Sequence, residues 1–160
     1  MIDCEQIRLH VVKPVLEYLD PLIPYSITAE NLLLGTCAVE SDMGTFLVQK
    51  GGPALGIYQM EPSTDMDIYN NFLAFNSQIS GLVTGLLDYN HSPELFRLRL
   101  VLNLAYATAM ARIHYYRVSA PLPENTPEAL GEYWKRYYNT PLGKGTVDKF
   151  VDKYDTYVID

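Results

Sequence analysis

Glu40 follows eight mostly apolar residues, 32–39, and precedes Ser41-Asp42-Met43-Gly44. A carboxyl in that position lies partly against a core at the edge of a cleft. Removal from water favours its neutral form and raises its pKa. A carboxylic acid kept protonated near neutral pH can pass a proton to a leaving oxygen, the first requirement of glycosidic cleavage. Taken alone, a solvated Glu at a helix end is the simpler account. Nineteen residues further on stands Gln59, inside Gly56-Ile57-Tyr58-Gln59-Met60-Glu61-Pro62-Ser63-Thr64. Glu61 is a second carboxylate two positions after Gln59, and a strand-like turn there would aim both side chains to one face. A base in that place could activate water; a solvent-facing Glu is the alternative. Asp42, Asp65 and Asp67 are weaker candidates for the same role.

Glu-Ser followed by Gly-x-x-Gln-x-x-Pro-x-Thr resembles the soluble lytic transglycosylases and goose-type lysozymes of the lysozyme-like superfamily. Glu40-Ser41 matches the first motif; Gly56, Gln59, Pro62 and Thr64 match the second. Ala54 fits the Gly-Ala-x-Gly lead-in, with Pro53 where its first glycine would stand. The two motifs together cover about a sixth of the chain. The resemblance implies that Glu40 is the general acid at the bond between N-acetylmuramic acid and N-acetylglucosamine. It implies that Gln59 binds a sugar acetamido group; an amide tying one loop to another is the plainer role. An acidic residue stands at the place of Glu61 in goose-type lysozymes, whereas the transglycosylases commonly have an apolar one. Asn103 is similar to the Asn of the Asn-Ile-x-x-Gly element, with Ala107 replacing its glycine. Tyr138-Asn139 is similar to the Ala-Tyr-Asn-x-Gly element, with Tyr137 before it and Pro141 in place of the glycine. Tyr58, Tyr106 and Tyr138, with Asn139, are the remaining candidates for sugar contact, since a tyrosine offers a stacking face and a hydroxyl. Most of the other tyrosines read as half-buried packing residues.

The composition limits the alternatives. A chain of 160 residues with 48% apolar content has the size and composition of one globular domain. A net charge of −7 argues against nucleic acid, which calls for a basic surface. His10, His91 and His114 show no metal-ligand spacing, so no metal or other cofactor is expected. Two cysteines, Cys4 and Cys37, establish no disulfide framework; Cys37, in an apolar helical run, reads as a buried free thiol. The longest apolar stretch, 100–111, is interrupted by Asn103 and Thr108 and is shorter than the roughly 20 residues of a membrane span. No membrane insertion is expected.

The elements that must carry these residues read as mostly helical. Residues 5–19 have helical apolar spacing, with Pro14 either kinking the helix or starting a second one. Thr28 is the expected N-cap of a helix that ends near Glu40. Residues 50–53 form a loop, Thr64 the expected cap of a helix through Phe75, and Ser92-Pro93-Glu94 a helix start. From residue 95 to about 117 one helix is expected, apolar all round over 98–111 and hence central. Thr126-Pro127-Glu128 starts a helix reaching about Tyr138, and Thr146 caps a last one to near Tyr157. The expected fold is a single lysozyme-like helical domain over residues 1–160, with an apolar central helix and a short loop or strand region near residues 50–62.

The start of the chain lacks a basic then apolar leader. A small wall-degrading protein without a leader or a wall-binding domain suggests a phage-type lysin released through a holin, or a virion component. Its partner would be the peptidoglycan glycan strand. The rival from another class is a non-catalytic lysozyme-like module, structural or glycan-binding, which the acidic charge favours.

Overall fold

The computed structural model describes residues 1–87 and 92–159, and among them the chain is almost entirely helical. In chain order the helices are α1 (Cys4–Ile7), α2 (Lys13–Leu19), α3 (Ile27–Ser41), α4 (Pro62–Asn71), α5 (Ser77–Gly85), α6 (Pro93–Arg97), α7 (Arg99–Leu102), α8 (Leu104–Tyr116), α9 (Pro127–Trp134) and α10 (Val147–Tyr157). Extended pairing is confined, among the described residues, to two isolated bridges, Val48 with Leu55 and Leu55 with Met60, in the region expected to be loop or strand.

The hub is α3. Residues 32–39 are all buried, so over these two turns the helix has no solvent face. Around it pack α8, α9 and α10. Two glycines set how closely they approach. A Cβ on Gly35 would lie 2.3 Å from Phe150 Cζ, and one on Gly131 would lie 3.1 Å from Phe150 Cδ1. Phe150 of α10 is therefore keyed between α3 and α9, and its ring lies against Trp134 at 5.5 Å between centroids. Its burial is complete, and a Phe side chain so placed contributes on the order of 2–3 kcal/mol of hydrophobic stabilisation.

Several caps differ from the sequence expectation. Ser26, not Thr28, caps α3, accepting from the Ala29 N–H at 3.0 Å. Pro62 occupies the first turn of α4 and Glu61 the cap position, so Thr64 falls inside the helix. A proline at the first helical position is pre-set for helix entry, and it outweighs a hydroxyl two residues on. Pro14 sits in the first turn of α2, after a π-turn over Arg8–Val12 in which the Lys13 N–H reaches the Arg8 carbonyl.

The larger correction concerns the central helix. The expected continuous element is broken at Leu98 and again at Asn103, which is extended (φ −119°, ψ 98°). Asn103 is not mid-helix: its side chain caps α8 by accepting from the Tyr106 N–H at 2.8 Å. Leu95, Phe96, Leu98 and Leu102, before the break, are exposed, while residues 106–113 of α8 are buried. Apolar continuity hid a local side-chain cap that competes with the helix ladder. Ser92, Thr126 and Thr146 each cap as expected.

Candidate active site

Glu40 is the penultimate residue of α3, and the backbone just beyond it closes the helix. Asp42 takes the left-handed conformation (φ 49°) and returns its N–H to the Ala38 carbonyl. The Ser41 hydroxyl is buried and lies 2.6 Å from the Ile57 carbonyl, and it accepts from the Gly44 N–H at 2.9 Å. Ser41 thus fastens the 56–60 turn to the helix end beside the acid. Gly56 makes that turn possible. Its φ is +74°, and a Cβ there would fall 1.9 Å from the Leu100 carbonyl oxygen, a place open only to glycine.

A cleft of about 700 Å³ opens at this end of α3. Glu40, Gln59, Glu61, Tyr138 and Asn139 all line it, together with His114 and Trp134. Segments distant in sequence therefore meet at one concavity. The Trp134 indole Nε1 donates to Glu40 Oε1 at 2.9 Å. No hydrogen bond to Oε2 exists among the described residues, so Oε2 is the oxygen left to carry a proton. Burial pushes the Glu40 carboxyl up to about 7, against smaller lowering effects from the indole N–H and the Lys149 charge. At neutral pH a large fraction of Glu40 is therefore the neutral acid.

Gln59 takes φ 44°, so of the turn or strand expected there the stretch is a turn. Non-glycine residues are uncommon there. Its side-chain nitrogen folds back to the Gly56 carbonyl at 2.8 Å and the Phe46 carbonyl at 3.4 Å. The amide does tie loop to loop, while the residue still lines the cleft. Glu61 is exposed on the cleft wall, where it accepts from the Ser63 hydroxyl at 3.2 Å. The other carboxylates are committed elsewhere. Asp42 pairs with Lys153 at 2.6 Å and Asp67 with Arg117 at 2.6 Å. Asp65 is buried, bonded to Arg99 and to the Tyr106 hydroxyl.

The tyrosines divide. Tyr138 lines the cleft and donates its hydroxyl to the Tyr58 carbonyl at 2.8 Å, a second fastening of the turn. Asn139 ends a π-turn over Lys135–Asn139, and its Oδ1 accepts from Lys135 Nζ at 2.8 Å. The same Nζ donates to the Gly143 carbonyl at 2.7 Å, which anchors the loop over the cleft. Tyr58 and Tyr106 are corrections. The Tyr58 side chain is 1% exposed, turned into the core with its hydroxyl 3.2 Å from that of Thr108. Tyr106 is fully buried against Asp65 and Arg99. Neither residue lines the cleft; in a turn the neighbour of a cleft residue points away from it, and the Tyr106 hydroxyl is taken up by Asp65 and Arg99.

Trp134 and His114 escape a reading of the sequence. Trp134 is the only tryptophan of the chain, a signal that its type alone offers. Gly145 lets the following loop close on it: a Cβ there would meet Trp134 Cη2 at 2.3 Å. His114 Nδ1 lies 3.1 Å from Arg117 Nη2. An arginine only donates, so Nδ1 accepts and Nε2 carries the proton of a neutral ring. Burial, reinforced by the Arg117 charge, pushes His114 down to about 4, with Asp67 opposing. The ring meets Tyr138 edge to face at 5.1 Å.

Cys37 is buried and free, its thiol pushed up to about 12 by burial. His91 lies outside the described residues. Among those described, no group of three or more His, Cys, Asp or Glu is placed to hold a metal ion, and no helix is long and apolar enough to cross a membrane. Compared with known proteins, the chain matches no family model, no curated protein and no solved structure.

Proposed function

We propose that this protein is a peptidoglycan muramidase of the lysozyme-like kind, with Glu40 as general acid and Glu61 as the base that activates water. The observation that carries the reading is the state of Glu40: a half-buried carboxyl on a cleft wall, raised to about 7 and held through one oxygen by Trp134. A general acid works best when its pKa lies near the working pH. With Oε1 occupied by the indole, the proton on Oε2 can pass to the glycosidic oxygen. Glu61, exposed on the cleft wall, would take the proton of a water attacking the opposite face of the sugar. Gln59 would hold the acetamido group through its carbonyl oxygen, the end of the amide not used to tie the loop. Tyr138 and Asn139 would line the sugar path.

The charge of the whole chain is opposed inside the cleft. Lys144 and Lys149 stand on its wall beside the two glutamates, so the local field there is not that of the −7 surface. The substrate class is the β-1,4-linked strand of alternating N-acetylmuramic acid and N-acetylglucosamine. Delivery to the wall, as a lysin released through a holin or as a virion component, belongs to the same proposal. Loss of turbidity in suspensions of purified sacculi tests it. Clearing by the wild type and none by Glu40→Gln is expected. A folded wild-type protein that binds sacculi without releasing soluble fragments would make it a non-catalytic glycan-binding module instead.

A further inference from the structure

Arg112 of α8 is 4% exposed, yet among the described residues no carboxylate bonds it. Its one protein acceptor there is the Pro24 carbonyl, 3.4 Å from Nη2, and its buried Nε has none. Its guanidinium carbon lies 5.6 Å from the Tyr116 ring centroid, a contact that softens but does not neutralise the charge. The buried acid of α3, Glu30, is bonded by Arg8 Nη1 at 2.5 Å and by the Tyr25 hydroxyl at 2.8 Å. A buried charge without a counter-ion is costly, and proteins pair such groups as a rule.

Arg112 lines a cavity of about 500 Å³ that shares no described lining residue with the Glu40 cleft. Its walls include Tyr25, Tyr116 and Tyr133, three prolines and Leu122, and not one Asp or Glu among the described residues. Ser26 and Thr28 also line it, at the N-terminal end of the fifteen-residue α3, where the helix dipole has the same positive sign.

We propose that this cavity binds a small organic carboxylate carried on an apolar or aromatic body. One guanidinium matches one carboxylate, through the two parallel bonds that its fork geometry allows. Among the described residues the walls offer no lysine or second arginine, as a phosphate dianion would call for, and their rings and prolines suit the rest of an apolar ligand. The volume is that of an ordinary small-molecule pocket. A free aromatic acid and the C-terminal carboxylate of a peptide ending in an aromatic residue present the same chemistry.

The test uses the intact protein labelled with ¹⁵N and follows the Arg112 Nε–H signal, with benzoate, acetyl-alanyl-phenylalanine and the amide of each as probes. The expected result is saturable displacement of that signal by a carboxylate, with a dissociation constant below about 1 mM, and no displacement by the amides. Tighter binding of benzoate identifies a free acid as the source, and tighter binding of the dipeptide identifies a chain terminus. Arg112→Met, similar in length and uncharged, should abolish binding; should that variant not fold, the contrast between acid and amide in the wild type decides. Equal binding of acid and amide, displacement by inorganic phosphate as strong as by benzoate, or no displacement by any probe would overturn the proposal.

Discussion

The Trp134 indole holds Glu40 from a position 94 residues away, by a 2.9 Å bond to Oε1. The indole is itself backed by Phe150, whose ring fits where Gly35 and Gly131 leave room. The acid is thus oriented by the core and not by a mobile loop. That chain of contacts makes the chemistry of Glu40 depend on packing deep in the α3, α9 and α10 interface.

Glu40→Gln should leave a folded protein whose stability differs from the wild type in a pH-dependent way. The folded pKa, about 7, lies above that of an unfolded Glu, so the folded state binds the proton more tightly. Wild-type stability therefore declines as pH rises between about 4.5 and 7 and is flat above that range. The variant lacks this decline. Discounted for the partial exposure of Glu40, its relative gain above pH 7 should reach about 2 kcal/mol. Urea unfolding at pH 4 and pH 8 measures it, and a constant difference between variant and wild type at both would contradict the raised pKa.

Trp134→Phe keeps a ring against Phe150 but removes the donor. The indole N–H favours the charged form of Glu40, so its loss should raise the carboxyl pKa further and carry the alkaline limb of the activity profile to higher pH. The rate at the optimum should fall by roughly tenfold, about 1.4 kcal/mol of lost transition-state stabilisation. A pH–rate profile with an unmoved alkaline limb would mean that Trp134 does not act through Glu40.

His114 should remain neutral down to about pH 4. Its folded pKa lies below that of an unfolded histidine, so the unfolded state takes up the proton first, and stability is lost as pH falls from about 6.5 to 4. NMR titration of the ring should show a midpoint well below the roughly 6.5 of an unperturbed histidine. A midpoint near 6.5 would return His114 to an open, solvated position.

Gly35→Ala should destabilise through overpacking, by about 1–3 kcal/mol. In a protein of this size that lowers Tm by roughly 2–4 °C for each kcal/mol. Gly81 of α5 is the control: no described residue lies within 4 Å of a Cβ placed there, so Gly81→Ala should hold or raise Tm. Equal melting temperatures for the two variants would refute the close approach of α3 and α10.

Much of the site was legible in the sequence because its motifs are local. Glu40-Ser41 stands out only through its order and spacing with the motif at Gly56, since residue type alone favours a solvated Glu at a helix end. Gln59 and Glu61 were legible through the same motif, and the turn that needs Gly56 carries both to the cleft. Trp134 and His114 were not legible, because only the packing of α8 and α9 on α3 brings them there. Tyr58 and Tyr106 misled for the opposite reason: closeness in sequence to cleft residues or to a motif says nothing of which way a ring turns. The break at Asn103 was hidden by an apolar run that reads as helix on every face. Ser26 displaced the expected cap of α3 by two residues and Pro62 moved that of α4 by three, to Glu61, a contest between neighbouring signals that only the backbone resolves.

The most direct measurement is mass spectrometry of sacculi digested with the wild type, Glu40→Gln and Glu61→Gln. A muramidase with Glu40 as acid and Glu61 as base should release fragments ending in ordinary reducing muramic acid. Glu40→Gln should release none, and Glu61→Gln should be slower by at least about a hundredfold, the low end for a general acid or base. Fragments one water lighter, formed at the wild-type rate by Glu61→Gln, would show a lytic transglycosylase, in which the 6-hydroxyl of muramic acid replaces water. Fragments released by Glu40→Gln at the wild-type rate would contradict the assignment of the acid itself.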